Sequence, residues 1–142
     1  MGSAQQANKK ILMEFTKKQI DRYSRQIILK KVGVIGQKKL LKSSVLIVGA
    51  GGLGSPIAIY LAALGIGKIG IVDKDNVKIS NLSRQIIFET NDVNKNKSSA
   101  AISKLRKINP DIQLKSFNKN LTIININQIA KKFDLIVDGS DN

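Results

Sequence analysis

Val45-Leu46-Ile47-Val48-Gly49-Ala50-Gly51-Gly52-Leu53-Gly54-Ser55-Pro56 is the stretch on which the reading of this chain turns. Four β-favouring apolar residues in a row, without alternation, fit a strand buried on both faces, as in a parallel sheet. The glycines then permit a tight turn. Pro56 suits the first turn of a helix, where a missing N–H costs nothing. Strand, Gly49-x-Gly51-x-x-Gly54 and helix together form a nucleotide-binding context: the backbone can approach a phosphate closely, and the helix N-terminus offers free N–H groups and a positive dipole end. Asp73 follows Gly54 by 19 residues, at the end of a second apolar run, Ile69–Asp73. A carboxylate there can accept hydrogen bonds from both ribose hydroxyls.

The rest of the chain is read outward from this unit. Upstream, residues 1–15 read as a flexible arm or a short helix. Thr16 to Leu29 predicts a helix capped by Thr16, with Ile20, Tyr23, Ile27 and Ile28 as its apolar side. Gly33 and Gly36 punctuate a loop, and Gly36 to Lys42 predicts a short helix with Leu40 and Leu41 inward. Downstream, the glycine-turn helix ends near Leu64, with Gly65 as its cap. Residues 79–96 are polar and irregular. Ser98 to Ile108 predicts an amphipathic helix stopped by Asn109-Pro110. Ile112–Phe117 and Leu135–Asp138 read as a third and a fourth strand, separated by a short helix over Ile126–Lys132. Strands alternating with helices argue for an α/β fold: a Rossmann-like parallel sheet with helices on both faces, preceded by an N-terminal helical segment. With about four strands the sheet is expected to be truncated, roughly half of a doubly wound domain, leaving an exposed edge. The expected division is an arm over 1–15 and one nucleotide-binding domain over 16–142, incomplete in that sense.

Composition narrows the chemistry. The 142 residues hold 24 Lys and Arg against 10 Asp and Glu, a formal net charge of +14, and no Cys, His or Trp. Without Cys there is no disulfide, thiolate nucleophile or Cys-ligated zinc, so no zinc is expected in this chain. Without His there is no Ser-His-Asp triad and no imidazole base. No apolar run reaches the ~20 residues of a membrane span. The polar start, Met1–Lys10, lacks the apolar core of a secretory signal, so a cytoplasmic protein is expected. Lys outnumbers Arg by 20 to 4, and the excess reads as a solvated coat. The few aromatics do not interleave with Lys, so nucleic acid is not an expected partner. Three of the four Arg (Arg22, Arg25 and Arg84) fall in two short motifs, where a planar fork suits phosphate.

The glycine loop does not say which nucleotide is bound. A nicotinamide cofactor is one reading. Ser80-Asn81-Leu82-Ser83-Arg84-Gln85, followed by Lys97, favours a triphosphate, because amide, guanidinium and ammonium would meet the charge of departing pyrophosphate. Asp138 and Asp141 end the fourth strand, where carboxylates near a polyphosphate can hold Mg2+.

Taken together, Arg22-Tyr23-Ser24-Arg25-Gln26-Ile27-Ile28-Leu29, Val45–Gly54, Asp73-Lys74-Asp75, Ser80–Gln85, Lys97, Ile108-Asn109-Pro110 and Asp138-Gly139-Ser140-Asp141-Asn142 resemble the ThiF/MoeB/HesA family of adenylating enzymes, relatives of the ubiquitin-activating enzymes. The resemblance implies an adenylyltransferase that uses ATP and Mg2+. It would adenylate the terminal carboxylate of a ubiquitin-like sulfur-carrier protein ending in Gly-Gly, giving an acyl-adenylate and pyrophosphate. By the match, Gly52 and its neighbours Gly49, Gly51 and Gly54 would approach the phosphates. Asp73 would hold the ribose, with Asp75 in the same nucleotide-binding set. Asn81 and Arg84 would contact the polyphosphate, and Lys97 would neutralise charge near the α-phosphate. Asp141 would hold Mg2+, with Asn142 beside it. Arg25 matches the arginine that family dimers insert into the neighbouring ATP site, so a homodimer is implied. The residue inventory agrees with adenylation, since the attacking carboxylate belongs to the substrate and is ionised at neutral pH. Thiol steps are closed to a chain without Cys. Family members also carry a carrier-binding groove and, in many cases, a Cys-x-x-Cys zinc site, neither of which this chain matches. The alternative is therefore a catalytically incomplete nucleotide-binding and dimerisation module, a truncated or split family member.

Overall fold

A computed structural model describes residues 2–6, 9 and 15–141. The chain divides into two compact units, residues 1–40 and 41–142. Most of the arm expected over 1–15 lies outside the described residues; residues 2–6 are helical.

In the first unit, helix α1 spans Lys17–Ile27. Its cap is the one the sequence implies. Thr16 Oγ1 accepts from the Gln19 N–H at 3.1 Å, and Gln19 Oε1 accepts from the Thr16 N–H at 2.9 Å, a reciprocal capping box. Tyr23 is buried, whereas Ile28, expected on the apolar side, lies past the helix end and is exposed. Helix α2 spans Gly33–Lys42, so Gly33 begins the helix rather than sitting in a loop. Its buried side chain is Gln37, not Leu40 or Leu41, which are half-buried. Gln26 Nε2 donates to Gln37 Oε1 at 2.9 Å, which satisfies one amide with another and lets a polar side chain sit inside.

The second unit is a four-stranded, all-parallel sheet in the order β3-β2-β1-β4, from β1 (Ser44–Val48), β2 (Lys68–Val72), β3 (Gln113–Phe117) and β4 (Leu135–Asp138). The pairing is in register, with Val48 opposite both Val72 and Asp138. Helix α3 (Gly54–Leu64) packs on β1, and α4 (Lys97–Ile108) packs on β2, β3 and α3. The face they cover presents Ile47, Ile69 and Ile71, all fully buried, each stabilising the fold by about 1.5–3 kcal/mol relative to exposure. The opposite face, from Leu46, Val72 and Phe117, is covered by Ile129 of the short helix α5 (Ile126–Ala130) and by Phe133 and Leu121. Helices therefore lie on both faces, as the alternation predicts. Strand β3 begins at Gln113 rather than Ile112, and α5 ends two residues short of Lys132. Among the described residues no helix is long and apolar enough to cross a membrane.

The order of strands carries a functional consequence. The chain moves outward from β1 to β2 to β3, then returns to place β4 on the other side of β1. Strand order reverses between β1 and β4, and open α/β sheets bind ligands beyond the carboxyl ends of the strands at such a reversal.

Candidate nucleotide site at the strand reversal

Beyond the carboxyl ends of the strands lies a cleft of about 580 Å3. Its floor and one wall come from the glycine turn. Gly49 takes φ +88°, a left-handed conformation that side chains rarely adopt. Gly54 allows the closest approach: a Cβ there would lie 1.8 Å from the Gly49 carbonyl oxygen. The loop after β4 closes over the same place. The Gly139 N–H donates to the Val48 carbonyl at 2.8 Å, and a Cβ on Gly139 would meet the Gly54 backbone nitrogen at 3.1 Å. Helix α3 starts without a side-chain cap among the described residues, and its Ser55 N–H donates to the Gly51 carbonyl at 3.0 Å.

Asp73 stands at the end of β2 and lines the cleft. Its Oδ2 accepts from the Ala50 N–H and its Oδ1 from the Asp75 N–H, each at 2.9 Å. The carboxylate thus ties the glycine loop to the turn after β2. Each oxygen keeps a further lone-pair direction for a ligand hydroxyl.

Lys97 is the first residue of α4, lines the cleft, and is only 8 % exposed. Among the described residues its ammonium meets no carboxylate within ion-pair distance. An anionic ligand in the cleft would give that ammonium a charged partner. Asp141 and Asp75 also line the cleft, both exposed. Asp138 lines it too, but its Oδ1 accepts from the Ser140 hydroxyl at 2.6 Å and the Ser140 N–H at 3.0 Å. Those two bonds hold its carboxyl below the usual aspartate range.

The remaining expected residues fall nearby with different roles. Arg84 is exposed; its stem passes the position a Gly52 Cβ would take, at 3.9 Å, and its Nη1 donates to the Ser80 carbonyl at 3.2 Å. Asn81 is buried, and its Oδ1 accepts from the Lys78 N–H at 2.8 Å, which closes the turn holding Arg84. Gly51 lines the cleft, and Gly52 lies exposed at the loop tip. Arg25 sits in the last turn of α1, in the first unit. Asn142 lies outside the described residues.

The structure adds residues that the motifs do not single out as site members. Lys119, Asn120 and Leu121 follow β3 and line the cleft, as do Ile126 and Ile136. For Lys119, Asn120 and Leu121, position beyond the end of β3 is the signal that would have found them. Gln85 lines the cleft while 4 % exposed, with an Oε1 that has no hydrogen-bond partner among the described residues.

Metal binding can be judged on the donors. Among the described residues no group of three or more carboxylates gathers as a cation cage. Mg2+ keeps waters and takes one or two carboxylates with phosphate oxygens, a donor set to which the exposed Asp141 at the cleft is suited.

The ThiF family pattern matches residues 23–142. Among curated proteins, the sulfur carrier protein adenylyltransferase of Thermus thermophilus is 45 % identical over 130 residues, covering 92 % of this chain and 48 % of its own length. The sulfur carrier protein ThiS adenylyltransferase of Escherichia coli is 46 % identical over 121 residues, 85 % of this chain and 48 % of its own. This chain thus spans about half the length of these two relatives. Among solved structures, TcdA (CsdL) superposes with a TM-score of 0.83 at 26 % identity, over 89 % of this chain and 50 % of that one. The tRNA N6-threonylcarbamoyladenosine dehydratase TcdA of E. coli, in complex with ATP, gives a TM-score of 0.81 at 25 % identity, covering 89 % and 52 %.

Proposed function

The chain belongs to the ThiF family, and on that premise we propose that its cleft binds ATP and serves the adenylation of the C-terminal glycine carboxylate of a ubiquitin-like sulfur carrier. The observation that carries the proposal is one cleft lined by the glycine turn that opens α3, a carboxylate at the end of β2 and the lysine that begins α4. Those are the complements of a phosphate chain, a ribose and the charge on an α-phosphate. Relatives named as sulfur carrier protein adenylyltransferases support the reaction class.

In this reading the carrier's terminal carboxylate oxygen attacks the α-phosphorus of ATP. A bond forms from that oxygen to phosphorus, and the bond from phosphorus to the oxygen bridging to the β-phosphate breaks. Pyrophosphate leaves and a mixed acyl-phosphate anhydride remains. The nucleophile is already ionised, so no protein base is required. The chain's task is positioning and charge stabilisation. Backbone N–H groups of Gly51 to Gly54 face the phosphates. Asp73 accepts from the ribose hydroxyls. Lys97 sits by the α-phosphate and Arg84 by the departing charge. Asp141, with Asn142 next in sequence, would hold Mg2+, which when bound spreads negative charge over the phosphate oxygens. Arg25 is assigned to the site of a second copy in a homodimer, and the compartment to the cytoplasm.

The test is carrier-dependent exchange of labelled pyrophosphate into ATP, with calorimetry of ATP and NAD in parallel. Exchange that needs a Gly-Gly-ended carrier is expected. Tighter binding of NAD than of ATP would overturn the nucleotide assignment. ATP binding without any exchange would favour the second reading, a nucleotide-binding and self-associating module. The exposed Leu135 and Ile136 of edge strand β4 favour that second reading.

A further inference from the structure

Asn96 is not among the candidates that motif reasoning names, yet its side chain ties together three of the segments that line the cleft. Its Oδ1 accepts from the Ser99 N–H at 3.1 Å and from the Ser98 hydroxyl at 2.6 Å, which caps α4. Its Nδ2 donates to the Asp73 carbonyl at 3.1 Å, the Asp75 carbonyl at 3.1 Å and Asn118 Oδ1 at 2.8 Å. The backbone continues the same joint: the Lys97 N–H donates to the Asp75 carbonyl at 2.8 Å, and Asn76 pairs with Asn96 in a single antiparallel bridge. One amide group therefore binds the turn after β2, the start of α4 and the end of β3. Those three segments supply Asp73 and Asp75, Lys97, and Lys119 and Asn120 to the cleft.

An N-cap needs only the acceptor half of this side chain; Asp or Ser caps a helix as well as Asn does. The donor half does separate work. We propose that Asn96 is a positioning residue for the nucleotide site: its Nδ2 sets the distance between the Asp73 carboxylate and the Lys97 ammonium, acting through both. The inference rests on the reading of the cleft as an ATP site and goes beyond it by assigning a residue with no ligand contact of its own.

Asn96→Asp separates the two halves. It keeps an acceptor for the Ser99 N–H, and it replaces the donor with an oxygen facing three acceptors. Asn96→Ser keeps the cap without adding charge. ATP affinity would be measured by calorimetry on the full chain, with thermal melting in the absence of nucleotide, for each variant alone and combined with Lys97→Ala. Both Asn96 variants are expected to bind ATP on the order of tenfold more weakly, the size of one or two lost hydrogen bonds. In the Lys97→Ala background most of that loss should vanish, because residues that act as a unit are not additive. Unchanged affinity in Asn96→Ser overturns the inference. So does an equal loss with and without Lys97, which marks a merely structural role. Failure of the unsubstituted chain to bind ATP is a different result: it overturns the nucleotide reading and the inference with it.

Discussion

Gly54 and Gly51 belong to one motif but do different physical work. A Cβ on Gly54 would sit 1.8 Å from the Gly49 carbonyl oxygen, and that neighbour is backbone rather than the end of a flexible side chain. Gly54→Ala is expected to destabilise the chain by roughly 2–4 kcal/mol, as overpacking against fixed atoms does. At Gly51 the nearest atom to an added Cβ is Gln85 Nε2 at 3.9 Å, an ordinary contact. Gly51→Ala should therefore leave the urea midpoint within experimental error while weakening ATP, since the methyl group takes space the phosphates need. A Gly54→Ala chain as stable as the unsubstituted one would refute the close-approach account. Asp138 offers a second test at this scale. The Ser140 hydroxyl and N–H favour its ionised form. That stabilisation is present above the ordinary aspartate range and is lost as pH falls through the lowered value. Ser140→Ala removes the hydroxyl bond and keeps the N–H, so the Asp138 carboxyl should titrate at higher pH, followed by its carbon chemical shift. Motif spacing identified the glycines and Asp73 because backbone geometry allows few residues there. It could not show that Asp138 is engaged by Ser140, since a carboxylate's partners depend on a turn's final shape.

Among the elements, β2 and the segment after α5 are fitted to each other. Gly70 lies in the middle of β2, and a Cβ there would come within 2.5 Å of Phe133 Cζ. The Phe133 ring packs edge-on against Phe117 at 6.2 Å between centroids and carries Lys68 Nζ at 4.5 Å. Gly70→Ala should displace that ring and cost about 1–3 kcal/mol. Adding Phe133→Leu should recover part of the loss, so the two changes will not be additive in urea melts. Additive losses would mean that the ring moves aside freely. Each strand and most helices were legible as elements because periodicity, caps and breakers act locally: the Thr16 box, the Gly65 stop and Asn109-Pro110 all operate within a turn or two. Gln37 shows where that reading ends. Its burial depends on Gln26 reaching it across 11 residues, and nothing local marks a polar side chain as satisfied.

At the scale of the whole molecule, β4 is an edge strand with apolar residues in the open: Leu135 is 58 % and Ile136 43 % exposed. An unpaired edge with apolar neighbours invites another strand or surface. The chain is expected to self-associate as concentration rises, read by light scattering. Leu135→Lys, which places a charge on that edge, should weaken association by about tenfold. A clean monomer at high concentration would count against it.

What the sequence alone determined is the set of elements, the parallel sheet, the glycine turn and the family. These follow from short-range rules: hydrophobic runs, the conformations open to glycine, and spacing within one β-α-β unit. What only the tertiary structure decided is which distant residues meet. The strand order 3-2-1-4 brings Gly139 against Gly54, sets Lys97 in one cleft with Asp73 and Asp141, and makes Asn96 the joint between three segments. Contacts of that kind arise from packing between segments far apart in the chain, and local pattern carries no record of them.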